Sequence, residues 1–339
     1  MAYLDEHERA VIRPIKRMVE DEFLSRPGVI GVDIGEKFTG GRPTGRAAIV
    51  VYVCAKGSHH PQQIPASVEG IPTDIVAESI VLHRALLSPD EHQPVVAERH
   101  AVLRGGISIG PSRAVRVVPP DVSVPGDYVI VGTLGALVVS RTEKLVMGLT
   151  NFHVGCVDDA WMVGDRMVHP SRVDGGVQNL DDVGELNRAA LSGSVNAAAV
   201  LLDPQRPCRA EILDIGAVTG SAPAPVGTPV RKRGRTTALT HGVVVSGDAT
   251  IAVDFGDGIG VRKLRDQLRI ESCAGRFGDH GDSGSVLVDV ENRVVGLYCA
   301  GTASGSTGFA NPIDRVLDQL DVDVLTPDVP ESRKPEPAA

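Results

Sequence analysis

Short apolar runs separated by turn residues fill the chain from residue 105 onward. They recur about every ten residues with glycine, proline and aspartate between them, a pattern typical of antiparallel sandwiches and barrels. The clearest runs cover residues 135–140, 145–150, 195–202, 285–290 and 294–299. We therefore predict a mainly β domain over residues 105–325.

The first hundred residues follow a different pattern. Apolar positions between residues 3 and 24 recur at helical spacing around Pro14, which predicts an amphipathic helix. Residues 29–34, 47–54 and 71–77 read as strands between turn-forming stretches. We predict a small α/β domain over residues 1–104, ahead of the mainly β domain.

The end of the chain predicts one more helix and a tail. Asn311 is a suitable helix cap, Pro312 fits the first helical position, and an apolar stripe follows as far as Leu320. Residues 326–339 are rich in proline and charge, so we expect them to be disordered.

Composition narrows the classes of function. The net charge of -9 argues against a nucleic-acid binder, and the basic run at 231–235 lies on a predicted strand whose residues alternate faces. We expect no membrane span, because no apolar run is long enough, and the charged start lacks a secretory signal. Five cysteines without metal-type spacing fit a reducing, cytoplasmic setting. We expect no cofactor, and no metal at His59-His60, where two histidines in a polar loop lack further ligands.

The stretch at 278–285 carries the strongest chemical signal. It reads Gly-Asp-His-Gly-Asp-Ser-Gly-Ser and is followed at once by an apolar run. Glycines allow the sharp turn that an exposed nucleophile needs, and the amides of Gly281 and Ser283 can point into one concavity that binds an oxyanion. Alone, the same composition is also that of an ordinary hairpin turn.

Three other segments decide between these interpretations. An apolar strand ends at His153 within residues 148–155, a Gly-Arg-Thr-Thr run lies within residues 230–242, and Gly-Leu-Tyr-Cys-Ala-Gly occupies residues 296–301. Together with the serine motif, in this order, they resemble the trypsin-like serine proteases of chymotrypsin fold. The resemblance covers about residues 105–322, and the leading domain is similar to one found ahead of some intracellular bacterial members.

The resemblance implies two six-stranded antiparallel β-barrels and a peptidase acting on protein or peptide substrates. It assigns Ser283 as nucleophile, His153 as general base, and the amides of Gly281 and Ser283 as oxyanion donors. The substrate would add as an antiparallel strand at the edge formed by Cys299, Ala300 and Gly301. The pocket for the residue before the scissile bond would be built by residues 273–277 and by the segment after residue 301.

One position departs from the family pattern. Where the family has an aspartate that orients the histidine, the matching strand carries Asn196, unless Asp181, Asp182 or Asp203 supplies the carboxylate from another position. An asparagine carries no charge and can hold the wrong imidazole tautomer. The sequence therefore predicts a serine endopeptidase with weak or conditional activity or, alternatively, a pseudoprotease that acts as a binding or regulatory module.

Three further expectations concern the surroundings of the site. We expect Asp282 to pair with Arg276 or Arg235, so that no newly cut amino terminus is needed. Cys299 should lie near Asn196 as a small buried apolar residue. The N-terminal domain would gate the groove if activity depends on a regulatory protein partner or on a cut between residues 84 and 126.

Overall fold

A computed structural model describes residues 4–54, 64–83, 85–87, 98–119, 122–256 and 258–327. The His59-His60 pair and most of the predicted disordered tail lie outside these ranges. None of the helices within them is long and apolar enough to cross a membrane.

The N-terminal part contains the predicted helix and strands. Helix α1 (Glu6–Leu24) begins with a capping box, in which the Asp5 side chain accepts from the Glu8 amide and the Glu8 side chain accepts from the Asp5 amide. Pro14 lies inside this helix. The strands that follow are β1 (Val29–Thr39), β2 (Arg42–Val53), β3 (Ser67–Val68), β4 (Ile71–Ala77), β5 (Ile80–Leu82) and β6 (Ala85–Leu87).

The remaining described residues are mainly β. Two helices, α2 (Phe152–Gly155) and α3 (Ile313–Leu320), and a 3-10 turn (Arg172–Asp174) interrupt the strands. The strands are β7 (Leu103–Gly105), β8 (Ile107–Pro111), β9 (Val115–Val117), β10 (Gly126–Leu134), β11 (Ala136–Ser140), β12 (Val146–Thr150), β13 (Arg166–Val168), β14 (Asp182–Leu191), β15 (Asn196–Leu202), β16 (Cys208–Ile212), β17 (Gly216–Ala217), β18 (Gly220–Ser221), β19 (Pro229–Gly234), β20 (Ala238–Asp254), β21 (Val261–Ser272), β22 (Val286–Val288), β23 (Arg293–Thr302), β24 (Thr307–Pro312) and β25 (Val322–Val324).

These strands form two large sheets and confirm the predicted mainly β class. Among the described residues, the first sheet is an open path of pairings from β25 through β11, β12, β15, β14, β13, β8 and β10 to β6. In the second sheet, β19, β22, β23, β24, β21 and β20 pair in a ring, because β20 pairs again with β19. The main core lies between the two sheets, where apolar side chains of β11, β12 and β15 pack against those of β22, β23 and α3.

The N-terminal strands extend the second sheet. Strand β1 pairs with β20 through Gly31 and Val32. Buried polar contacts add to this pairing: the Arg9 guanidinium donates to the carbonyl of Val245 at 2.7 Å and to Asp248 at 3.2 Å. The boundary at residue 104 stays a prediction, but hydrogen bonds join the parts on its two sides.

The prediction that Asn311 caps α3 is wrong. Asn311 lies in β24, and α3 begins at Ile313 directly after Pro312. Its side chain instead accepts a hydrogen bond from the Asn196 amide at 3.1 Å. The Asn311 side chain therefore bonds a residue 115 positions away instead of the amides at the start of α3.

His169 provides a test of how burial couples the fold to pH. Its neutral ring is held by two bonds: Nδ1 donates to the Ser108 carbonyl at 2.6 Å, and Nε2 accepts from the His100 amide at 3.0 Å. Burial lowers the pKa of His169 to about 4. As the pH drops below about 6.5, His169 is protonated in the unfolded chain but stays neutral in the folded chain. The free energy of unfolding therefore falls as the pH drops from 6.5 towards 4.

We expect the wild type to lose about 2 kcal/mol more unfolding free energy than His169→Asn between pH 7 and pH 5. Asparagine keeps a donor for the Ser108 carbonyl but does not titrate. Urea unfolding of both proteins at the two pH values measures the difference. Equal losses of unfolding free energy in the two proteins would contradict the lowered pKa of His169.

Candidate active site

The loop between β21 and β22 turns sharply around Ser283. Gly281 and Gly284 have φ values of 97° and 95°, in the left-handed region that favours glycine. A Cβ on Gly284 would also lie 2.2 Å from the carbonyl oxygen of Thr133. The glycines around the serine are therefore required by the backbone, as the sequence pattern predicted.

The amides of Gly281 and Ser283 converge on one oxygen atom. Both donate to the carbonyl of His83, at 2.6 Å and 3.4 Å respectively. Ser283 is buried, and its Oγ donates to the carbonyl of Cys299 at 3.1 Å. This geometry can hold a carbonyl oxygen beside the serine hydroxyl and stabilise negative charge on it.

Asp282 has a partner that differs from both predicted ones. Lys232, on the inner face of β19, lies 3.0 Å from its carboxylate, and neither side chain is exposed. Arg276 instead pairs with Asp279, and Arg235 pairs with Asp174. Burial alone would raise the pKa of Asp282, but Lys232 and the hydroxyl and amide donors of residues 236 and 237 outweigh it and hold that pKa below its ordinary value.

Replacing Lys232 with methionine should cost about 3 kcal/mol or more of unfolding free energy, because it leaves a buried carboxylate without its counter-ion. The double variant Lys232→Met/Asp282→Asn removes both charges and should recover part of the loss. Urea unfolding at pH 7 measures both. A single variant as stable as the wild type would show that the ion pair does not support the serine loop.

His153 lies in α2, directly after β12, and is buried. Its Nδ1 is 2.8 Å from Nδ2 and 3.1 Å from Oδ1 of Asn196, and the ring meets Phe255 edge-on at 5.9 Å between centroids. The three alternative carboxylates are bound elsewhere: Asp181 pairs with Arg99, while Asp182 and Asp203 pair with Arg166. Of the four predicted candidates, Asn196 is the one that contacts the histidine.

Neutral amides surround Asn196. The backbone amide of Asn196 donates to the side-chain oxygen of Asn311, and its backbone carbonyl accepts from the Asn151 side chain at 2.8 Å. Asn311 in turn donates to Gln267 at 2.5 Å. Neither Asn311 nor Gln267 was predicted to lie at this site, although each is a polar residue at a buried strand position.

Cys299 is connected to this network through Asn311. Its thiol donates to the carbonyl of Phe309 at 3.6 Å, and its Sγ lies 3.9 Å from Asn311 Nδ2. Burial raises the pKa of the Cys299 thiol to about 12. The thiol therefore stays protonated and serves as a small buried side chain, as expected.

Thr133 joins the histidine and serine segments. Its carbonyl accepts from the Thr150 hydroxyl at 2.9 Å, just before the histidine turn. Its amide donates to the carbonyl of Ser283 at 2.8 Å, and its hydroxyl donates to the carbonyl of Gly281 at 3.0 Å. Strand β10 thus fixes both segments from the same position in the first sheet.

The edge predicted to bind substrate carries a strand of this chain. Ala300 pairs with Leu82 and Gly301 pairs with Val81, in antiparallel register, and the His83 amide donates to the Cys299 carbonyl at 3.2 Å. Beyond residue 84, β6 pairs with β10 of the first sheet. The described residues before and after residue 84 therefore pair with different sheets.

A pocket beside β23 holds the His83 side chain. The Tyr298 hydroxyl lies 2.7 Å from His83 Nδ1, and the His280 ring lies 5.3 Å from the His83 ring between centroids. A Cβ on Gly301 would approach His83 Cε1 to 2.5 Å. Phe277, from the predicted pocket segment, meets the Tyr298 ring edge-on at 5.7 Å between centroids. Tyr298 was not predicted as a pocket residue.

Comparisons with solved structures find similar chains among bacterial proteases. A Nocardiopsis protease shares 18% identity at a TM-score of 0.47, covering 66% of this chain and 98% of that one. Protease A of Thermobifida fusca shares 19% identity at a TM-score of 0.45, covering 64% of this chain and 98% of that one. A Cellulomonas bogoriensis chymotrypsin shares 21% identity at a TM-score of 0.42, covering 57% of this chain and 90% of that one.

The site described above rests on the geometry of this chain and not on these likenesses. No protein-family model and no curated protein matches the sequence.

Proposed function

We propose that this chain is a serine endopeptidase. The observation that carries the proposal is the convergence of the Gly281 and Ser283 amides on the carbonyl oxygen of His83, within the loop that carries the Ser283 hydroxyl. An oxyanion hole requires two such donors, built in before the reaction, at the position where negative charge develops.

In this mechanism Ser283 attacks the substrate carbonyl, and His153 takes the serine proton and later returns it to the leaving amine. Asn196 orients the imidazole through Nδ1. Lys232 and Asp282 form a fixed charge pair below the serine loop, so the oxyanion donors are arranged without a newly cut amino terminus.

The substrate we propose is an extended peptide added to β23 at Cys299, Ala300 and Gly301. The pairing of this edge with β5 supports that register. Main-chain bonds of this kind bind many sequences, so selectivity falls to the pocket around Tyr298. A separate regulatory protein stays a prediction.

The second candidate is a pseudoprotease, and Asn196 favours it. Both amide atoms of Asn196 lie within reach of Nδ1, and its nitrogen is the closer one. An amide that donates to Nδ1 places the ring proton on Nε2, where it cannot accept from serine. The protein would then bind peptides without cutting them.

A fluorophosphonate probe distinguishes these candidates. The peptidase proposal predicts covalent labelling of Ser283, seen by peptide mapping, and loss of labelling in Ser283→Ala. Ser285→Ala is the matched control, since its hydroxyl bonds the Asp282 carbonyl inside the same loop. A wild type that resists the probe while binding peptides would favour the pseudoprotease.

A further inference from the structure

Strand β21 carries a bulge close to Asn196. Its pairing with β20 shifts register between Leu264 and Gln267, and Asp266 within the shift has a φ of 53°, in the left-handed region that is uncommon for residues other than glycine. Bulges re-aim side chains next to active sites, and a strained backbone persists only where its surroundings fix it. The contacts of residues 265–267 therefore show what the bulge is held for.

The bulge binds the turn that leads into β15, the strand that begins at Asn196. The backbone amide of Arg265 donates to the Gly193 carbonyl at 2.7 Å, and Nε2 of Gln267 donates to the Ser194 carbonyl at 3.0 Å. These two bonds fix the path by which the chain enters the strand that holds Asn196.

Gln267 also reaches Asn196 through a side chain. It is buried, and its Oε1 accepts from Asn311 Nδ2 at 2.5 Å. Oδ1 of Asn311 accepts in turn from the backbone amide of Asn196, whose side chain contacts Nδ1 of His153. Because each amide uses its oxygen and its nitrogen for different partners, turning either one would leave buried polar atoms unpaired. Gln267 is therefore held in a single orientation.

Helix α1 is bound to the same bulge. Glu20 on this helix is buried and pairs with the Arg265 guanidinium, and it accepts from the Thr250 hydroxyl of β20 at 2.8 Å. Arg17, one turn earlier, lies 3.3 Å from the Asp266 carboxylate. An exposed pair such as that of Arg17 contributes little, whereas a buried carboxylate requires its partners. Glu20 is therefore the main contact through which α1 fixes the bulge.

We propose that Gln267 is a positioning residue of the active site, and that α1 holds it in place through Glu20. The bulge then sets where Asn196 lies against His153, and the N-terminal helix supports turnover as well as stability. The inference rests on the proposed peptidase function, because the orientation of His153 affects turnover only if Ser283 reacts.

Gln267→Met tests the positioning residue, because methionine keeps the length of the side chain and removes its hydrogen bonds. We expect kcat on a peptide ester to fall about 100-fold in the Asn196→Asp background, the usual cost of displacing a catalytic group by about 1 Å. KM should change by less than about twofold, since the β23 edge is not altered. In the wild-type background the loss should be about tenfold smaller, because the neutral amide contributes less to the reaction.

Glu20→Gln tests the helix. Glutamine keeps the shape of the side chain but loses the two ion pairs of Glu20. We expect kcat to fall about tenfold in the Asn196→Asp background, again with little change in KM. Glu22→Gln is the matched control: it makes the same change on the same helix, where Glu22 is exposed and pairs with Arg26, and should hydrolyse like its parent.

The NMR shifts of the His153 ring nitrogens measure orientation without turnover. They report which nitrogen carries the proton, and this depends on the bond that Nδ1 makes. We expect Gln267→Met and Glu20→Gln to change these shifts and Glu22→Gln to leave them unchanged. Urea unfolding identifies the folded variants, and if Gln267→Met does not fold, Glu20→Gln decides by the same measurements.

Failure of this inference differs from failure of the peptidase proposal. If the folded variants keep the ring-nitrogen shifts of their parents, or keep the kcat of an active parent, Gln267 is not a positioning residue and the peptidase stands. If no protein hydrolyses the ester, the peptidase proposal fails, and changed shifts in Gln267→Met and Glu20→Gln would still show that the bulge orients His153.

Discussion

Replacing Asn196 with aspartate is expected to raise peptide hydrolysis by up to about 10⁴-fold in turnover, the reverse of the loss usually caused by the opposite change. A carboxylate can only accept from Nδ1, so it fixes the tautomer that leaves Nε2 free to take the serine proton. It also places a negative charge beside the imidazolium that forms during the reaction. Initial rates on a peptide ester measure the gain.

Asn151→Asp is the matched control for this prediction. It introduces the same charge at the same buried junction, but the Asn151 side chain bonds the Asn196 carbonyl rather than the ring. We expect no gain from it. Urea unfolding of both variants checks that each is folded. If Asn196→Asp folds and hydrolyses more slowly than the wild type, the neutral amide already orients His153 and the impaired-triad explanation is wrong.

The effect of Ser283→Ala should depend on the residue at position 196. With a charged triad, loss of the nucleophile costs about 10⁶-fold in turnover, whereas a triad already missing its charge has only about 10²-fold left to lose. We therefore expect a modest loss in the wild-type background and a loss about 10⁴-fold larger in Asn196→Asp. Steady-state hydrolysis rates of the wild type, Ser283→Ala, Asn196→Asp and the double variant measure how far the two substitutions depend on each other.

His153→Ala should reproduce the Ser283→Ala loss in each background, and the combined variant should be no slower than either single one, because the residues act as a unit. Equal losses from Ser283→Ala in the two backgrounds would show that residue 196 does not act through the serine.

Local chemistry explains what could be predicted from the sequence. The glycines at 281 and 284 are required by backbone conformation, which neighbouring residues reveal. The position of Asn196 follows from its strand. Lys232 could have been predicted as the partner of Asp282, since strand β19 alternates between buried and less buried positions and Lys232 takes a buried one. Proximity along the chain favoured the arginines instead.

Long-range pairing explains what was missed. Strand β5 has three residues, too few for a periodic signal, and His83 is 215 positions from Tyr298. Asn311 satisfied a local capping rule, but its actual partner is 115 positions away. A groove filled by the chain itself becomes visible only when β1 joins β20 and brings the N-terminal segment to the site.

The central claim is that Ser283 forms a covalent acyl intermediate at this site. Its most direct test is mass spectrometry of protein that is mixed with a peptide ester, quenched in acid during turnover and digested. The proposed mechanism predicts the acyl group on the peptide that contains Ser283 and its absence from Ser283→Ala. Ester hydrolysis that continues in Ser283→Ala at the wild-type rate, with no acyl group on Ser283 in the wild type, would contradict it.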